Sequence, residues 1–251
     1  MRHFTDNLNW PQRVSQHNLV YLTPVSDPLD GWPLGNGEMG ALFWTTADSL
    51  IAVLNRADLI EPAANLQRCY NWSRTEEEHT STQRHGGRVV WRFPFPVFDT
   101  IYLKSFRTEV DIALGELHIS CSSVFGSLEL TAFIPEGSHA LRVKMKRDFL
   151  DCGPSTMRLE RLGSRVFGHW YRQIRRAPEV GLDGTSCNVT ENAVFISKTL
   201  TEHSAFALAS WNSSGTKPKR ISTFAGECEL PSTTSDLEEQ SDETIVILTP
   251  P

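Results

Sequence analysis

At 251 residues the chain can bury a substantial core, and its formal net charge of −6 offers no polycationic surface for a nucleic acid. Its first residues, Met1 to Asn7, hold no apolar run of signal-peptide length, and no stretch of the sequence is long and apolar enough to span a bilayer. A soluble protein with no membrane partner is expected, with the cytoplasm favoured. Five cysteines, Cys69, Cys121, Cys152, Cys187 and Cys228, stand far apart without a Cys-x-x-Cys pair, so reduced thiols, no metal and no cofactor are expected. Asn71, Asn188 and Asn212 head Asn-x-Ser/Thr triplets, which are short enough to arise by chance.

Gly31-Trp32-Pro33-Leu34-Gly35-Asn36-Gly37-Glu38-Met39-Gly40 sets four glycines and a proline in ten residues, a backbone taken through tight reversals. Its plain reading is a hairpin connection, since Asn-Gly is a strong hairpin signal. The polar and aromatic side chains Trp32, Asn36 and Glu38 on so constrained a loop also suit ligand binding. Ala41–Trp44 and Leu50–Leu54 are short apolar runs flanking the polar turn 45–49, as two antiparallel strands should read.

Further on, Ala63 to Gln67 suits a short helix. Residues 109–114, 117–121, 127–134 and 140–145 alternate polar with apolar and are broken by turn residues, which predicts an antiparallel meander with one wet face. Arg158–Gly163 and Trp170–Arg175 fit either an exposed helix or an irregular crossing. Residues 193–200, 204–211 and 243–248 read as strands, and Pro231 to Asp242 as a polar loop. Many short strands predict an all-β fold, a two-sheet antiparallel super-sandwich with short helical insertions, forming one domain over residues 1–251.

The residues Gly31 to Trp44 resemble the entry motif of the N-terminal β-sandwich domain of glycoside hydrolase family 95, the α-L-fucosidase-type enzymes, and of related bacterial proteins. The second element of that pattern matches Leu50 to Ile60. A looser likeness runs through Pro96-Val97-Phe98-Asp99 and Leu159-Glu160-Arg161 to His169-Trp170-Tyr171. Ile60 stands where the pattern has Trp, so no stacking role carries over to it. The resemblance implies that the catalytic acid and base belong to an (α/α)6 helical barrel that follows the sandwich, and nothing after Leu248 could encode one. It therefore implies no catalytic residue here. Expected partners are a carbohydrate and a helical catalytic domain of the same or a longer polypeptide.

Glycoside hydrolysis needs two carboxyls about 5–10 Å apart around one bond. The best pair is Glu38 with Asp58, which flank the first two strands and could meet at one end of the sheet; the plain alternative is a solvated Glu38 and a capping Asp58. His85-Gly86-Gly87-Arg88 offers a histidine beside glycines. Gly168 to Arg172 combines ring, phenol and cation, which suits a substrate rim or a domain interface better than catalysis. Among the tryptophans, Trp44, Trp91 and Trp211 read as core, and Trp32 and Trp72 as exposed platforms. The basic runs 172–176 and 217–220 read as solvated faces.

The expected work is thus to pack on a helical barrel and present a substrate rim of Trp32, Asn36, Glu38, Arg56, Asp58, His169 and Trp170. Two other classes stay open: a stand-alone carbohydrate-binding module, and a small hydrolase using Glu38 and Asp58.

Overall fold

A computed structural model describes residues 9–62, 81–150, 153–161, 185–201, 204–212, 217–230 and 242–248. Its strands, in chain order, are β1 (Leu19–Tyr21), β2 (Trp32–Gly35), β3 (Met39–Thr45), β4 (Ser49–Pro62), β5 (Ser81–Arg92), β6 (Leu103–Asp111), β7 (Glu116–Ser123) and β8 (Gly126–Phe133). They continue with β9 (Ala140–Phe149), β10 (Thr156–Glu160), β11 (Thr185–Val189), β12 (Ala193–Thr201), β13 (Ser204–Asn212), β14 (Lys219–Ser222), β15 (Ala225–Glu229) and β16 (Asp242–Leu248). A five-residue helix, α1 (Trp10–Val14), precedes them, capped by the Asn9 side chain, which accepts from the N–H of Gln12.

Among the described residues these strands form two antiparallel sheets. One runs β1-β6-β7-β8-β9-β16-β13-β12-β11, the other β14-β15-β10-β5-β4-β3-β2. The all-β super-sandwich expected from the sequence is what is found. β2 lies over β6 and β7, and β12, β13 and β16 lie over β4 and β5. Alternation explains which residues meet between the sheets. In β7 the buried positions are Leu117, Ile119, Cys121 and Ser123, and in β9 Leu141, Val143, Met145 and Arg147, each second residue as a pleat requires.

The meander β6-β7-β8-β9 is as predicted except at one end. The strand expected over 109–114 stops at Asp111, because the Asp111 carboxylate accepts from the N–H groups of Ala113 and Leu114, and Gly115 follows at φ +67°. A short Asx turn thereby outcompetes the apolar pattern of Ile112 and Leu114, which are left exposed. Residues 158–160, read as helix or crossing, belong to β10, paired on both sides by β5 and β15. The helix expected at 63–67, the ambiguous segment 170–175 and the loop 231–241 lie outside the described residues, as do Trp72, Cys69 and Cys152.

The reading of Trp32 as an exposed platform is corrected. Trp32 has no exposed surface: its ring lies between Tyr21, at 6.1 Å edge-on, and Phe106 of the opposite sheet, stacked at 6.0 Å. Pro33 and Gly35 take the outward positions of β2, so its pleat turns Trp32 and Leu34 into the core. Trp91 is also fully buried, against Phe43 at 6.4 Å; Trp44 is half-buried on the outer face of β3, and the side chain of Trp211 lies outside the description.

The Gly86-Gly87 pair is part of a strand, and its smallness serves the contact between sheets. A Cβ on Gly86 would fall 2.5 Å from the Leu248 side chain, and one on Gly87, at φ +150°, 2.4 Å from Leu208. Next to it Arg88 pairs with Glu160 across β5 and β10. The histidine-glycine motif is therefore a packing notch.

Candidate functional site

The glycine-rich turn between β2 and β3 is fixed by Asn36. Its side-chain oxygen accepts from the N–H of Glu38 at 3.1 Å and of Met39 at 2.9 Å. Its amide nitrogen donates to the carbonyls of Pro135 and Ser138, both at 2.8 Å, in the turn between β8 and β9. Both amide hydrogens are thus spent on welding two turns from opposite sheets. Gly37, at φ +92° with open space where a Cβ would stand, lets the chain reverse so that Glu38 projects outward with its side chain 60% exposed.

Beside this turn β4 leaves its regular ladder. It advances from Asn55 to Ile60 while its partner β5 advances only from His85 to Gln83, so residues 56–59 bulge. The bulge aims two side chains differently. Arg56 is buried, whereas the Asp58 side chain is 48% exposed. The Arg56 guanidinium grips Asp58 as a fork, Nε to Oδ1 at 2.9 Å and Nη2 to Oδ2 at 2.8 Å, and its Nη1 donates to the carbonyl of Leu248 at 3.1 Å. That hydrogen bonding to Arg56 holds the Asp58 carboxyl below the usual carboxylate range. The backbone closes the group, the N–H of Ala57 donating to the carbonyl of Glu38 at 3.4 Å.

The structure adds a residue that the sequence did not single out. His139, which follows the turn welded by Asn36, places Nδ1 3.7 Å from the Glu38 carboxylate, in ion-pair range but short of a hydrogen bond. A protonated His139 would also act on Asp58, in the sense that keeps the carboxyl ionised. Nothing local in the sequence announces this. His139 is about a hundred residues from Glu38, and only the weld between the turns brings them together.

Of the expected rim, Glu38, Arg56 and Asp58 do stand together at one end of the sandwich, joined by His139. Asn36 is there as the scaffold of the loop. Trp32 lies behind the turn, in the core, and His169 and Trp170 lie outside the described residues. The result is two exposed carboxylates beside one imidazole, on a rigid base. Carboxylates accept hydrogen bonds and imidazole can donate or accept, which suits the hydroxyls of a polyol.

The other concave surfaces differ in character. A shallow groove of about 460 Å³ on the outer face of the nine-stranded sheet is lined mainly by polar and charged residues, among them Arg107 and Glu109, paired at 2.6 Å, and His118, whose Nε2 lies 3.1 Å from Glu116 beside the groove. Such a face is the wet side expected of a meander. Another of about 470 Å³ runs between Asp48, Arg92 and the Phe93-Pro94-Phe95-Pro96 segment, at the opposite end of the strands from Glu38. Among the described residues no group of three or more His, Cys, Asp and Glu side chains is arranged to hold a metal, and no helix is long and apolar enough to cross a membrane. Cys121, Cys187 and Cys228 are free and buried.

No family model matches the chain, and no curated protein matches it. A solved structure provisionally described as a kojibiose phosphorylase from the human microbiome aligns over 94% of this chain with a TM-score of 0.50 and 9% sequence identity. The chain covers 32% of the length of that structure. At this identity the likeness is one of fold: a carbohydrate-active protein carries the same sandwich within a much longer chain.

Proposed function

We propose that this sandwich is the non-catalytic N-terminal domain of a glycoside hydrolase-like enzyme of the family 95 type. In this reading residues 1–251 form one domain that packs on a helical catalytic domain and lends it one edge of the sugar pocket. Glu38, Asp58 and His139 supply that edge; Arg56 holds Asp58 ionised and in place, and Asn36 holds the turn. Bond cleavage belongs to the other domain.

The observation that carries the reading is the convergence of two turns and a bulge, from both sheets, on a small exposed set of carboxylates and imidazole. Rigid loops on a sandwich are a common way to present ligand-binding groups. The neighbouring fold in a kojibiose phosphorylase supports a carbohydrate-active context and a longer polypeptide. Glu38 and Asp58 act here as hydrogen-bond acceptors for sugar hydroxyls; the acid and base that a glycosidic bond requires come from the partner.

The test is calorimetric titration of the 251-residue chain with fucosylated and glucosylated oligosaccharides, beside hydrolysis and phosphorolysis assays on the same panel. The reading expects weak binding at best and no turnover. Tight binding without turnover would favour a stand-alone carbohydrate-binding module. Turnover lost in Glu38→Gln would favour a small independent glycosidase.

A further inference from the structure

We infer that the end of the sandwich opposite the rim carries a second binding site, for a neutral saccharide, on the ring of Phe95 beside the ion pair of Asp48 and Arg92. The inference is independent of the role proposed for the rim. The seven residues of β3 separate Glu38 from Asp48 by about 20 Å of strand, so a small sugar held at one place does not reach the other.

The first argument is a rigid apolar platform. Phe93 is buried edge-on against Phe98 at 5.8 Å and Phe149 at 5.6 Å. Its N–H donates to the carbonyl of Asp48 at 2.8 Å, and that of Phe98 donates to the carbonyl of Ala47 at 3.0 Å. Between these anchors Pro94 and Pro96 fix their own φ, so the segment has little freedom left to lose on binding. Phe95 is thereby presented half-buried, its ring stacked on Phe125 at 4.6 Å and 9°. Phe95 lines the groove of about 470 Å³ together with Pro94, Pro96 and Pro154, whereas Phe125 lines a neighbouring groove. The stacked rings stand as a wall between the two.

The second argument is the polar pair along the same groove. Asp48 Oδ1 accepts from the hydroxyls of Ser49 at 2.8 Å and Thr46 at 3.2 Å, and its Oδ2 accepts from Arg92 Nε at 3.0 Å. Among the described residues Arg92 commits Nε alone, which leaves the N–H groups of Nη1 and Nη2 for a ligand. These features decide the ligand's chemistry. An apolar ligand would strip water from the ion pair and replace none of its hydrogen bonds. An anion would meet the Asp48 carboxylate, and a cation the Arg92 guanidinium. A neutral saccharide suits both walls: its C–H face covers the ring and the prolines, while its hydroxyls donate to Asp48 and accept from Arg92.

The experiment is saturation-transfer NMR, with calorimetric titration, of the 251-residue chain against maltotetraose, cellotetraose, fucosyllactose and trigalacturonate. Weak binding of at least one of the neutral sugars is expected, and weaker binding or none of the anionic one. Arg92→Gln, at a side chain 67% exposed, should weaken the neutral sugar about tenfold, as for one hydrogen bond to a charged group, and leave Tm unchanged. Phe95→Leu should weaken it by a similar factor while circular dichroism shows a folded chain; were that variant to unfold, Arg92→Gln alone decides. Glu38→Gln should leave this binding as it is. Failure of all the neutral sugars to bind, or trigalacturonate binding as tightly as they do, would overturn the site. Binding that survives Arg92→Gln would overturn it too, and its loss in Glu38→Gln instead would place the sugar at the rim and leave the proposed function standing.

Discussion

Arg56 and Asp58 form a forked ion pair across the surface of the sandwich, Nε to Oδ1 at 2.9 Å and Nη2 to Oδ2 at 2.8 Å, with the guanidinium buried and the carboxylate half in water. One cation therefore fixes the orientation of an exposed acid and, through Nη1 on the Leu248 carbonyl, holds the end of β16 from the other sheet. This is the joint on which the candidate site is built.

Replacing Arg56 tests that joint. Arg56→Gln removes the fork and leaves a buried carbonyl short of a donor. A loss of about 2–3 kcal/mol is expected from hydrogen bonds to a charged group, which lowers Tm by roughly 4–12 °C in a domain of this size. Arg56→Lys keeps the charge without the fork and should fall between the two. Thermal unfolding followed by circular dichroism measures this.

The same pair predicts a pH dependence. The Asp58 carboxyl is held below its ordinary value in the folded protein, first by the hydrogen bond to Arg56. A carboxylate with a depressed folded pKa stabilises above its unfolded value, about 3.9, and that contribution is lost as pH falls through the folded one. Stability of the native sequence should therefore fall more steeply below about pH 4 than that of Asp58→Asn. Urea titrations at a series of acidic pH values read the difference, and equal slopes would remove Asp58 from the account.

Asn36 is predicted to be a structural residue of the loop. Asn36→Asp keeps the acceptor for Glu38 and Met39 but sets a carboxylate against the carbonyls of Pro135 and Ser138. It should cost about 1–3 kcal/mol, as for an unsatisfied polar contact. Amide exchange should rise at 36–39 and 135–139 together, because one side chain holds both turns.

Trp32 should behave as a core residue. Trp32→Ala is expected to destabilise by about 3–5 kcal/mol, since the ring is fully buried between Tyr21 and Phe106. Sugar binding per folded molecule should change little. The buried thiols make a companion case: burial pushes Cys121 and Cys228 up to about 11, so neither should react with iodoacetamide at pH 8 until the protein unfolds.

These residues also show what the sequence could disclose. The β6-β7-β8-β9 meander was legible because each strand has one wet and one dry face, as in Leu117-His118-Ile119-Ser120-Cys121. β5 and β15 were hidden because Gly86, Gly87 and Gly226 look like turn residues, whereas they are small so that Leu248, Leu208 and Val194 can approach from the facing sheet; β10 was ambiguous because its charged residues Arg158 and Glu160 suit an exposed helix as well as a strand. Trp32 was misread for a similar reason. Its sequence neighbours are turn-forming and polar, and only its place in β2, opposite Phe106, decides its burial. At the candidate site, Glu38 and Asp58 could be placed at one end of a sheet because they flank adjacent strands. His139 could not, since its position depends on the weld from Asn36 to the β8–β9 turn.

The central claim is that the rim serves a sugar pocket whose chemistry lies in another domain, and one comparison tests it most directly: kcat/KM on fucosylated and glucosylated oligosaccharides for the 251-residue chain and for the complete reading-frame product. The account predicts no turnover by the chain alone. It predicts turnover by the complete product, reduced about tenfold in kcat/KM by Glu38→Gln or Asp58→Asn, the loss of roughly one hydrogen bond in the transition state. Turnover by the isolated chain that disappears with Glu38→Gln would contradict it.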